Sequence, residues 1–180
     1  MLINYIFDII MKSISICLLT CTCLIVFKAY SQDTINWSPT YKLKWEDFQG
    51  VPDSTTEYGA VSTIPIKYST RYTEKDFIFY VYCFFMKKKS WVRIYTNEEL
   101  IHEQGHFNIG EVFARKLRMA FEEYKFNPVT VKQDAKKIFN QIKLERTAMD
   151  SLYDKETDFH RNDANQAIWN KKIANLLSNK

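Results

Sequence analysis

The sequence predicts an α+β domain, a small antiparallel sheet followed by helices, and three observations carry that expectation. Aromatic and β-branched residues crowd the stretch Phe77–Met86, which is the composition of a strand. From Leu100 onward apolar residues return every three or four positions, the period of a helix with one buried face. The chain is 46% hydrophobic and 26% charged, with only 4 Gly and 4 Pro in 180 residues. Such a chain can build a core, which excludes low-complexity and disordered classes. Its net charge of +4 is spread thinly, so no basic stripe suited to nucleic acid is present.

The elements follow in order. Ile14–Phe27 is an uncharged apolar run preceded by Lys12 and followed by Lys28, and Ala29 and Ser31 supply small residues before Gln32. This is the layout of a secretory signal peptide covering residues 1–31, with Met11 as an alternative start. A single domain over 32–180 is then expected, exported to the periplasm, the cell surface or the medium. The run is short for a bilayer span. Membrane attachment would come only through an uncleaved segment or a lipid anchor. Cys83 is the one cysteine beyond that leader, so no internal disulfide is expected.

Trp37–Pro52 is turn-rich and reads as a short strand or extended lead-in. Ala60–Thr70 reads as an edge strand, because Pro65 cannot donate to a ladder. Phe77–Met86 reads as a central strand covered on both faces. Lys87–Ser90 makes a polar turn, after which Trp91–Tyr95 returns as the antiparallel partner of that strand. Thr96 followed by Glu99 spells a capping box, a hydroxyl serving the Glu99 amide while the carboxylate reaches back. The first helix then buries His102, His106, Ile109, Phe113, Leu117, Ala120 and Tyr124. Past Pro128 a second helix turns Val131, Ala135, Ile138, Ile142, Met149 and Leu152 inward. Tyr153–Asn162 reads as a polar loop or helix end, and a last helix from Asp163 carries Ile168, Trp169, Ile173 and Leu177.

The chemistry lies in HEQGH, residues 102–106, an instance of HExxH. On a helix, i and i+4 set His102 and His106 on one side, close enough for both imidazoles to hold one Zn²⁺. Glu103 beside them is the candidate general base. A zinc site with an open position needs a third protein ligand. His160 is the leading candidate, and the carboxylates Glu111, Glu145, Asp150, Asp154 and Glu156 compete with it, Glu111 being discounted because five residues past His106 turn it well away around the helix.

Further pieces fall in order along the chain: LKWEDFQG at 43–50, SWV at 90–92, HEQGHFNI at 102–109, and YDKETDFH at 153–160 followed by Gln166 and Trp169. Together they resemble the bacterial family called domain of unknown function 922, described as secreted zinc-dependent proteases. The resemblance implies a zincin-like fold, His160 as the distant third ligand with His102 and His106, and Glu103 as the catalytic residue. Arg161 stands where that family is expected to have Gly.

On this reading the protein is a zinc metallopeptidase with a polypeptide substrate. Tyr153 and Arg161 are candidate oxyanion donors. Asp154, Glu156 and Thr157 are candidates to orient a ligating imidazole. Two other readings use the same residues: an exported module that binds zinc without catalysis, and a zinc amidase acting on cell-wall peptides.

Overall fold

The computed structural model describes residues 33–73 and 75–178. The leader reading and the alternative start at Met11 lie outside the described residues. Among the described residues two small antiparallel sheets precede three helices, so the α+β expectation holds. The larger sheet has the order β1-β4-β3, from β1 (Thr34–Asn36), β3 (Ile66–Tyr72) and β4 (Phe77–Met86). The smaller pairs β2 (Ala60–Val61) with β5 (Trp91–Val92).

β4 is central, as its composition predicts, and β3 lies at an edge. Pro65 separates β2 from β3, since a residue without an amide hydrogen interrupts a ladder. Two expectations need correction. β4 is covered on one face only: Val81, Cys83 and Phe85 are buried, while Tyr80 and Tyr82 are 54% and 48% exposed. That alternation marks a half-buried strand whose outer aromatics find no second layer. Nor does Trp91–Tyr95 return along β4; Trp91 and Val92 pair with Val61 and Ala60. Residues Lys87–Lys89 form a 3-10 turn, and Ser90 fixes its exit by donating to the Met86 carbonyl and accepting from the Thr63 amide. The chain thereby leaves the plane of β4.

Helix α1 (Asn97–Glu122) packs its apolar face on the inner side of the larger sheet. Phe107 meets Phe85, and Phe121 meets Tyr68, Phe77 and Phe79 with ring centres 5.3 to 5.7 Å apart. Helix α2 (Val131–Thr157) and helix α3 (Asp163–Ser178) cover the remaining sides of α1. Helix α2 runs through Tyr153 to Thr157, which the sequence suggests as loop or helix end. Consequently Tyr153, not Leu152, faces inward, and Leu152 is exposed. In α3, Trp169 and Ile173 are buried while Ile168 is exposed. Among the described residues no helix is long and apolar enough to cross a membrane.

Candidate metal centre

The site forms where the first half of α1 meets the end of α2. Thr96 caps α1, its hydroxyl accepting from the Glu99 amide at 3.2 Å. One turn further, His102 and His106 project side by side with ring centres 4.8 Å apart. The extension of α2 places Asp150, Tyr153, Asp154 and Thr157 on the face opposite, because residues three, four and seven apart share one side of a helix.

His102 Nε2 and His106 Nε2 lie 3.2 Å apart, and Asp154 Oδ1 lies 3.2 Å from the first and 2.8 Å from the second. Among the described residues these three form the cluster whose donor atoms all fall within 4.8 Å of one another. Neighbouring groups settle the tautomers. Gln166 spends its amide hydrogens on Tyr153 Oη and Asn170 Oδ1, so its Oε1 accepts from His102 Nδ1 at 3.2 Å. Asp150 Oδ1 accepts from His106 Nδ1 at 3.1 Å, and Asp150 is itself held by Arg146. With both Nδ1 atoms serving as donors, each Nε2 faces Asp154 Oδ1, donating to it when the ring is protonated and offering a lone pair to an ion when the ring is neutral.

The electrostatics are those of a surplus of carboxylates. Burial pulls the His106 imidazole down, yet hydrogen bonds to Asp150 and Asp154 carry it up to about 10. Burial likewise works against ionised Asp154, but the two imidazoles hold it well below the usual carboxylate range. Glu103 is buried, and its Oε2 has no hydrogen-bond partner among the described residues. A cleft of about 820 Å³ opens over all of these groups, walled by the chain around β2, by α1 and α2, and by residues 159–161.

The remaining candidates are distributed around the cluster. Tyr153 is fully buried beneath it: the ring stacks on His102 at 4.5 Å, and the hydroxyl donates to the His102 carbonyl while accepting from Gln166. Gly105 makes this possible, since a Cβ there would stand 2.1 Å from the Tyr153 oxygen. Thr157 Oγ1 lies 3.4 Å from His102 Nδ1. Glu156 turns away toward α3 and accepts from the Trp169 indole. Arg161 lines the cleft with its guanidinium forked onto Asp158. His160 also lines the cleft, its ring centre 6.3 Å from that of His102 and its Nδ1 2.6 Å from Glu99 Oε2. Of the competing carboxylates, Glu111 is bound by Arg115 and Arg118 and Glu145 by Lys116.

Three participants escape a reading of the sequence. Glu99 reads as half of a capping box, but its carboxylate accepts from the Ala60 amide of β2 instead of reaching back. Gln166 enters as a position of the family resemblance, with no role at the site. Asp150 is one carboxylate among five until α2 is seen to continue past it.

No curated protein and no solved structure matches the chain. One family model, that of a bacterial protein of unknown function (DUF922), matches residues 86–161, the stretch that carries His102, Glu103, His106, Asp154 and His160.

Proposed function

We propose that the protein is an exported zinc-dependent peptidase in which His102, His106 and Asp154 hold the ion and Glu103 is the general base. The observation that carries this reading is the triangle of donor atoms with edges of 2.8, 3.2 and 3.2 Å. Ligands at about 2.0 to 2.1 Å from a tetrahedral zinc ion stand about 3.3 Å from one another. The residues therefore fit a small divalent cation with little rearrangement. The partners on both Nδ1 atoms add support, because a ligating imidazole is held through its far nitrogen.

Zinc bound there supplies a Lewis acid for the scissile carbonyl and a water acidified to about pKa 7. Glu103 Oε2, buried and without a hydrogen-bond partner among the described residues, receives the proton of the attacking water and delivers it to the departing amine nitrogen. Asp150 and Gln166 keep the imidazoles aimed, and Tyr153 blocks their retreat into the core. The cleft admits an extended peptide over the base.

Metal analysis with a hydrolysis assay tests the reading. The wild-type chain should bind one zinc and cleave a casein-derived peptide. Asp154→Asn should weaken zinc binding by about 10- to 100-fold or more. Glu103→Gln should keep the zinc and lose at least about a thousandfold in kcat. A Glu103→Gln variant as fast as wild type would end the hydrolase reading.

A further inference from the structure

We infer that His160 is a catalytic residue on the substrate side of the cleft, donating a hydrogen bond from Nε2 to the scissile carbonyl oxygen, and that Glu99 is its positioning residue. The inference rests on the hydrolase reading and deepens it. His160 stands outside the cluster of donor atoms yet lines the same cleft. Its Nδ1 lies in ion-pair contact with Glu99 Oε2 at 2.6 Å, and neither of these buried atoms makes a hydrogen bond among the described residues. With Nδ1 facing Glu99, Nε2 is the nitrogen left for a substrate, and it carries the neutral ring's hydrogen because Nδ1 turns its lone pair to the Glu99 carboxyl, which burial and the neighbouring Glu103 raise to about 7.

The surroundings are shaped for this pair. Glu99 is only 3% exposed, and its carboxylate is tied to the Ala60 amide. Gly59 leaves the space it occupies, since a Cβ at that position would lie 2.7 Å from Glu99 Oε2. On the other side Asp158, Phe159 and His160 all adopt left-handed backbone, with φ of 49°, 50° and 74°. That conformation is disfavoured for side chains other than glycine, and it persists where surrounding contacts over-determine it, as at ligand clamps. Here it ends α2 and carries the imidazole to Glu99. A donor placed where negative charge gathers in the transition state is worth a factor of about 10² to 10³ in rate.

Zinc-loaded wild type, His160→Ala, Glu99→Gln, their double variant and Glu103→Gln decide the matter, with His160→Asn as a second variant that tolerates left-handed backbone. Zinc per chain, kcat and KM on a fluorogenic peptide, and affinity for a phosphinic peptide that mimics the tetrahedral transition state are measured. Both His160 variants should retain one zinc, lose about 10²-fold in kcat with KM little changed, and bind the phosphinic peptide about 10²-fold more weakly. Affinity for acetohydroxamate, which binds zinc alone, should not change. Glu99→Gln should lose about tenfold, and the double variant should be no slower than His160→Ala, because the Glu99 carboxyl acts through the ring.

Loss of zinc from the His160 variants would make the ring a ligand and overturn the inference, as would full activity or multiplying effects of the two substitutions. If Glu103→Gln is dead while His160→Ala is active, the hydrolase reading stands and this one falls. If zinc-loaded wild type cleaves nothing, both fall.

Discussion

The two ends of α1 bury different kinds of surface. Its first turns hide Glu99, His102 and Glu103, and its last turns hide Leu117 and Phe121, whose ring meets Tyr68, Phe77 and Phe79 of β3 and β4. Sequestering ionisable groups costs free energy unless each is paired, whereas each large apolar side chain removed from water returns about 1.5 to 3 kcal/mol. One continuous helix joins the two. The difference teaches that the fold's stability is concentrated at the sheet end, which lets the cleft end carry groups that are poor for stability and useful for chemistry.

That division can be broken, and the largest effect is expected at Phe121. Phe121→Ala should lower unfolding free energy by about 3 to 5 kcal/mol in a urea titration, while zinc bound per folded chain stays at the wild-type value. Stripping the metal is next. With free zinc at a hundredfold excess over its Kd, a chelator should remove about 2.7 kcal/mol, and the same decrement should appear in the Phe121 variant because the two sites share no partner. An unchanged melting curve after chelation would sink the metal assignment. The smallest effect sharpens the boundary between the two ends: Thr96→Ala should cost about 1 kcal/mol. It acts on the turn that carries Glu99, so amide exchange should quicken at residues 97–100 and not beyond Phe107.

Periodicity made much of this architecture legible. The helical spacing from Leu100, the aromatic richness of β4 and the i, i+4 pair in HEQGH all report local properties of the backbone, and each appears where expected. What the pattern could not reveal depended on long-range geometry. As ligands Asp154 and Asp150 looked no better than Glu145 because the polar run after Tyr153 masked one more turn of α2. Read as helix, Asp150, Tyr153, Asp154 and Thr157 form one stripe, and that is the signal that singles them out. Glu99 was concealed differently. It fits a capping box by spacing, yet the Ala60 amide of β2 offers its carboxylate a better partner across the fold. The misplaced return of Trp91–Tyr95 arose from Ser90, whose side-chain hydrogen bonds to Met86 and Thr63 steer the chain toward β2.

The role of Gln166 bears on when the centre comes into being. His102 takes its tautomer from a residue on the last helix, and the hydroxyl of Tyr153 is braced by the same amide. A polypeptide emerging from the ribosome therefore displays both imidazoles and the aspartate well before the clamp that aligns them exists. On the proposed metal reading, capture of the ion with full affinity would wait for the C-terminal helix to dock, and a chain cut short before residue 163 would lack the clamp that Gln166 supplies.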